Sequence, residues 1–218
     1  AALLLAAAPA VAQDLARETA KVEDLRSLRE IKRLQAEWGY DAMAGDWKAM
    51  AALATPDVEM VLPEHTAVGR QGLEDWLRQR MGQGADGIPA GRLNARIWFS
   101  PVITLAPDGQ SATGSWKQLA LTGEAGKSAD WRMTTDVVEY RKTSEGWRMA
   151  HIRPYLVFSG PYETGFTHDA KTLERAPIAY TPDQAGTVLT GRAASQPRPK
   201  ADLDKEATLL LEAGKAQN

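Results

Sequence analysis

The chain contains no cysteine, which excludes disulfides, thiolate metal sites and cysteine nucleophiles and leaves the core alone to hold the fold. Histidine is scarce as well. His65, His151 and His168 are the three present, and their separations match no metal-ligand spacing, so no metal site is expected. Neither sign of charge prevails: 26 basic residues face 28 acidic ones, for a formal net charge of −2. That balance offers no electrostatic footprint for nucleic acid or for an anionic membrane. Long apolar runs are missing apart from the opening AALLLAAAPAVAQ, which at roughly a dozen residues is too short to cross a bilayer, so no membrane insertion is expected. The run ends Ala10-Val11-Ala12 before polar Gln13-Asp14, the small-x-small pattern that precedes signal-peptidase cleavage. Residues 1–12 therefore read as the remnant of an export signal, and a periplasmic or secreted location is expected. Phenylalanine is nearly absent, three residues against seven tryptophans. Tryptophan is bulky, carries a polar N–H and suits the wall of a cavity that receives flat ligands.

A length of 218 residues supports one domain with a sizeable core, hence one pocket. From Leu15 to about Met50 apolar Val22, Leu25, Leu28, Ile31, Leu34 and Trp38 recur at spacings of three and four, which predicts an amphipathic helix. Gly45-Asp46 interrupts it, and a second short helix should end at Thr55-Pro56. Val58 to Leu62 reads as a short strand, Pro63 to Gly69 as a loop and Gly72 to Met81 as a helix, followed by the glycine-rich loop GQGADGIPAG. The period then changes to two. Arg92 to Leu105, Ser111 to Thr122, Trp131 to Lys142 and Gly146 to Phe158 read as four strands of a meander, parted by turn-like segments. Helices first and strands after them predict an α+β fold rather than alternating βαβ units. The domain is placed at residues 13–175. Residues 176–218 are rich in Pro, Ala and Lys and read as a peripheral extension or dimer arm that ends in a helical stretch, Leu203 to Ala213.

Three segments resemble a known pattern: WGYDAMAGDWKAMAALATPDVEM, GRQGLEDWLRQ, and EGWRMAHIRPYLVFSGPYETGF. Together they are similar to the nuclear transport factor two-like superfamily in its SnoaL-like branch, over about Leu25 to Phe166. The resemblance implies a cone, a curved antiparallel sheet wrapped round an apolar pocket and capped by N-terminal helices. Relatives of this kind include scytalone dehydratase, ketosteroid isomerase, polyketide cyclases and formaldehyde lyases acting on lignin-derived compounds, which use acid and base side chains without a redox cofactor. Others only bind ligands or partners, so fold does not decide activity.

Strand alternation nominates residues. Between Trp131 and Tyr140, side chains Arg132, Thr134, Asp136, Val138 and Tyr140 share one face. An Asp with an Arg four residues away on that face either forms an enclosed site, where it can hold a proton acceptor ionised, or belongs to a solvated polar face. Continued alternation in the last strand puts His151, Arg153 and Tyr155 beside Trp147 and Met149. There His151 would be a general base, Tyr155 a donor to a developing oxyanion and Arg153 a partner for a phenolate or carboxylate; the alternative is a structural histidine. Arg96 with Trp98, and Trp116 with Gln118, alternate on shared faces and are candidate substrate contacts. His65, in PEHTAVG, either edges the pocket mouth or is an ordinary loop histidine. Trp38, Trp47 and Trp76 read as core packing. Of the adjacent Tyr40 and Asp41, one helix face takes only one, and the family resemblance implies Tyr40 in the pocket. The same resemblance marks departures: Met43 stands where dehydratase-like relatives carry Asp, Trp116 near a position of their His, and Arg153 where subgroup relatives often carry His.

The expected activity is a cofactor-independent lyase or isomerase acting by acid–base chemistry on a small aromatic or polycyclic molecule. Its concrete form would be formaldehyde release from a lignin-derived aryl propanoid diol. The catalytic candidates are His151, Asp136, Tyr155 and Arg153; the substrate-binding candidates are Tyr40, Arg96, Trp98, Trp116, Gln118, Arg132 and His65. The alternative is a non-catalytic periplasmic protein of the same fold that binds a small molecule or a partner. A homodimer is expected because relatives commonly pair through their sheets.

Overall fold

The computed structural model describes residues 7–165. The first half of the export-signal reading, Phe166, His168 and the whole 176–218 extension lie outside the described residues. Helix α1 (Ala7–Ala44) and the short α2 (Trp47–Ala52) lead into β1 (Ala54–Leu62), β2 (His65–Val68) and α3 (Gly69–Arg80). Four long strands follow: β3 (Arg92–Leu105), β4 (Ser111–Glu124), β5 (Ser128–Thr143) and β6 (Gly146–Pro161). The fold is α+β. The strands form one six-stranded sheet in the order β2-β1-β6-β5-β4-β3, antiparallel except where β1 runs parallel to β6. The sheet adds two strands to the four-stranded meander of the sequence reading: β1, expected as the short strand Val58 to Leu62, and β2, expected as loop, which pairs through Glu59↔Val68 to Leu62↔His65 as a hairpin on β1.

Glycine and capping end α1 where the sequence interrupts its pattern. Gly45 has φ +77°, and a Cβ there would lie 2.5 Å from the Gly87 backbone, so only glycine fits both the conformation and the space. Asp46 then caps α2, its side chain accepting from the Ala49 amide at 2.9 Å. Pro56 is tolerated inside β1 because it precedes the β2 pairing and falls in the irregular stretch of the β6 pairing between Ala54 and Glu59. The core joins the buried stripe Ile31, Leu34, Trp38 and Ala42 of α1 to Leu73 and Leu77 of α3 and to the sheet face carrying Val138, Tyr140, Met149 and Ile152. From Gln13 onward, burial along α1 begins at Ser27; Leu15, Val22 and Leu25, expected on its apolar stripe, are exposed.

Two β-bulges in β6 decide which face its side chains occupy. Tyr140 pairs with Met149 but Glu139 with His151, which leaves Ala150 as an extra residue; Met133 pairs with Phe158 but Thr134 with Leu156, which leaves Val157 as another. Each inserted residue shifts the alternation by one. Trp147 and Met149 consequently point inward, and after Ala150 the inward positions are Ile152 and Pro154. His151, Arg153 and Tyr155 turn to the outer face, contrary to the unbroken alternation read from sequence.

Candidate functional site

The inner sheet face, α1, α3 and the β1–β2 hairpin line a cavity of about 830 Å³ that is open to solvent on one side, within the range of small-molecule sites. Trp38, Trp76 and Trp98 stand in its wall together with Met60, Leu62 and Ile152, and Asp136 lies at its floor. Trp38 and Trp76, expected from sequence as core packing, also line the cavity.

Sheet register builds the polar floor. On β3, β4 and β5 the inward side chains form cross-strand rows, Arg96–Ala120–Arg132 and Trp98–Gln118–Thr134, with Trp116 opposite Asp136 in the next. Asp136 is 5% exposed and accepts three hydrogen bonds: from Trp98 Nε1 at 2.8 Å and Gln118 Nε2 at 3.2 Å on Oδ2, and from Thr134 Oγ1 at 2.5 Å on Oδ1. The indole N–H can only donate, so the arrangement suits an ionised carboxylate. Burial nevertheless holds Asp136 above the usual carboxylate range, while the Thr134 and Trp98 hydrogen bonds and then Arg96 and Arg132 pull the other way. The result is a desolvated carboxyl group kept in a fixed orientation.

The network extends to the helix. Gln118 Oε1 accepts from Arg96 Nη1 at 3.3 Å, Arg96 Nε donates to Asn94 Oδ1 at 2.8 Å, and Asn94 Nδ2 donates to the Ala42 carbonyl of α1 at 2.8 Å. Asn94 was not singled out in the sequence reading. Its position two residues before Arg96 on the same strand face was the available signal.

Of the sequence candidates, Asp136, Arg96, Trp98, Gln118, Arg132 and His65 line the cavity, His65 at its exposed edge. Five do not. Tyr40 is 72% exposed, because the helical stripe that meets the sheet runs through Trp38 and Ala42 instead. Trp116 is buried beside the cavity, where its Nε1 donates to the Tyr140 hydroxyl at 2.8 Å and that hydroxyl donates to Gln35 at 2.9 Å; this is a structural chain tying β4 and β5 to α1. His151, Arg153 and Tyr155 are displaced by the Ala150 bulge. On the outer face His151 neighbours Glu139 and Glu59, and the Arg153 guanidinium lies 5.0 Å from the Tyr155 ring centroid. Among the described residues no cluster of three or more His, Asp or Glu side chains is arranged to hold a metal ion, and no helix is long and apolar enough to cross a membrane.

The model of the SnoaL-like domain matches residues 23–153, more than half of the chain. No curated protein matches. Among solved structures the chain is similar to a nuclear transport factor two-like protein with a cystatin-like fold from Novosphingobium aromaticivorans, at 21% identity and a TM-score of 0.56, over 66% of this chain and 90% of that one. A candidate scytalone dehydratase from the same organism aligns at 15% identity and a TM-score of 0.57, over 73% and 97%. The type 3 hexachlorocyclohexane dehydrochlorinase of Novosphingobium barchaimii aligns at 13% identity and a TM-score of 0.56, over 72% and 99%. These likenesses establish the fold.

Proposed function

The chain belongs to the SnoaL-like domain family, and on that footing we propose that its cavity is the active site of a cofactor-independent lyase or isomerase acting on a small aromatic molecule. One observation carries the reading: a buried carboxylate, Asp136, held by three neutral donors at the floor of a tryptophan-walled cavity. A base in such a place is desolvated and oriented before substrate arrives, which is what proton abstraction near neutral pH requires. The dehydratase and dehydrochlorinase likenesses are consistent with elimination chemistry on this fold.

The concrete reaction proposed is the cleavage of an aryl propanoid diol. Asp136 takes the proton of the hydroxymethyl O–H, and the bond from that carbon to the chain breaks, releasing formaldehyde. The electron pair forms the alkene, and the benzylic hydroxyl leaves as water on receiving the proton from Asp136. One carboxyl thereby closes the cycle, and Trp38, Trp76 and Trp98 would hold the rings. The test is incubation of the purified protein with aryl-glycerol and diaryl-propane diols, with formaldehyde and alkene measured together. Equimolar release of both supports the reading, and release of neither from any diol removes it.

A second reading, a carrier without catalysis, draws on the same hydrogen bonds: Trp98, Gln118 and Thr134 already occupy three of the roughly four acceptor sites of a carboxylate. Tight binding of the diols without turnover would favour it. A homodimer through the outer sheet face is part of the proposal, supported by exposed Leu93, Ile97 and Phe99 on β3 and tested by sedimentation. Export is tested by cell fractionation.

A further inference from the structure

The hydrogen bonds on the cavity floor run in one direction, and their ends fix it. Helix α1 supplies the first end. The Asp46 amide, which would close the α-helical bond to Ala42, goes to the Asp41 carbonyl at 3.0 Å, so Ala42 is among the last carbonyls of a helix that need a partner from outside it. Asn94 Nδ2 donates to that carbonyl at 2.8 Å. A carbonyl only accepts, so the Asn94 amide has one orientation and turns Oδ1 to Arg96 Nε, 2.8 Å away. A guanidinium only donates, so Arg96 Nη1 takes the oxygen of Gln118, at 3.3 Å. The NH2 group of Gln118 is then left for Asp136 Oδ2, at 3.2 Å.

Sheet register makes this reach possible. Arg96 pairs with Ala120 while Gln118 pairs with Trp98, and Gln118 pairs with Thr134 while Asp136 pairs with Trp116. Arg96 with Gln118, and Gln118 with Asp136, are therefore diagonal neighbours on adjacent strands, close enough for long side chains to meet. The orientation of the Gln118 amide decides which form of Asp136 it favours. With its N–H toward Oδ2 it supports the carboxylate; reversed, its oxygen would face Oδ2 and favour the protonated acid. Trp98 Nε1, also on Oδ2, can only donate. Gln118 is thus the contact at Oδ2 that could reverse, and Arg96 stands on the atom that prevents it.

We propose that Arg96, anchored by Asn94, is a positioning residue that locks the Gln118 amide with its N–H toward Asp136. Use of that carboxyl group as a base rests on the function proposed above; the lock itself does not.

The test is an NMR titration of the Asp136 side-chain carboxyl carbon in the full chain, with Asp136→Asn identifying its signal. The charged and titratable groups around it are Arg96 on β3, Arg132 and Tyr140 on β5, and Glu64, His65, Asp75 and Arg80 in the cavity wall. Asn94→Ala and Gln118→Met alter none of them. Gln118→Met removes the donor and should raise the titration midpoint by about one pH unit. Asn94→Ala releases Arg96 without changing a charge and should also raise it. In the Gln118→Met background Asn94→Ala should move the midpoint no further, because its effect passes through the amide. An unmoved midpoint in Asn94→Ala, the same added shift in both backgrounds, or a signal that titrates in no variant would overturn the lock. Should Asn94→Ala not fold, Arg96→Lys takes its place: an ammonium keeps the charge but lacks the fork that holds both amides. Its midpoint should rise with Gln118 present and stay put in the Gln118→Met background, and any other pattern overturns the lock. The midpoint is read without substrate. The expected pattern with no turnover of any diol would keep the lock and remove the catalytic reading, and turnover with an unmoved Asn94→Ala midpoint would do the reverse.

Discussion

Replacing Asp136 with Asn preserves shape and removes charge, and the structure fixes what should follow. An Asn oxygen at the Oδ2 position keeps the bonds from Trp98 and Gln118, while its amide nitrogen meets the Thr134 hydroxyl, which can rotate to accept. The fold should therefore survive. Burial holds the pKa of Asp136 above its ordinary value, and an acid whose folded pKa exceeds its unfolded one costs stability as pH rises through the folded value. Wild-type protein thus bears a charge penalty at neutral pH that the variant escapes. The penalty disappears once pH falls below the ordinary aspartate value of about 3.9. The variant should melt at or above the wild-type temperature at pH 7, and its advantage should shrink towards pH 4. Activity should move oppositely: losing a positioned base costs about 10²–10⁴-fold in turnover, equivalent to about 3–5.5 kcal/mol of barrier. Thermal melts from pH 4 to 8 and diol turnover on the same preparations measure both. Turnover within about tenfold of wild type, or a melting advantage that grows as pH falls, would refute the reasoning.

Other substitutions separate the site from its surroundings. Trp98→Phe removes an N–H from the Asp136 carboxylate. It should cost about 1.5–3 kcal/mol of that interaction, and the acid limb of the pH–rate profile should move to higher pH. Trp116→Phe breaks the bond to Tyr140; it should lower stability by about 1 kcal/mol in urea denaturation and leave ligand affinity unchanged. His151→Ala, on the outer face, should turn over at the wild-type rate, and a large loss in a kinetic assay would return histidine to the mechanism. Gly45→Ala forces a Cβ against the Gly87 backbone at positive φ and should cost more than about 2 kcal/mol by the same denaturation measurement.

What the sequence disclosed follows from how local each signal is. The long strands and α1 were legible because their apolar periods run over many residues, and the cavity-facing set of β5 followed from alternation alone, since no bulge interrupts that strand against β4. β6 carries the same alternation on paper, but Ala150 is inserted by the pairing with Tyr140 and Glu139, a long-range fact with no glycine or proline to announce it. That single residue moved His151, Arg153 and Tyr155 out of the site. β2 was missed because four residues, His65–Val68, are too few to show a period, and its strand character comes from pairing with β1. From sequence Trp98 and Gln118 read as substrate contacts, whereas their hydrogen bonds to Asp136 depend on a register visible only once the sheet is assembled.

The proposed chemistry lies inside the cavity, at Asp136. A crystal structure of the protein soaked with a stilbene product or an unreactive diol analogue tests this most directly. The account predicts aromatic rings among Trp38, Trp76 and Trp98, with an oxygen of the diol analogue within about 3.2 Å of the Asp136 carboxylate. Ligand bound on the outer face beside His151 and Arg153, with the cavity left to water, would contradict it.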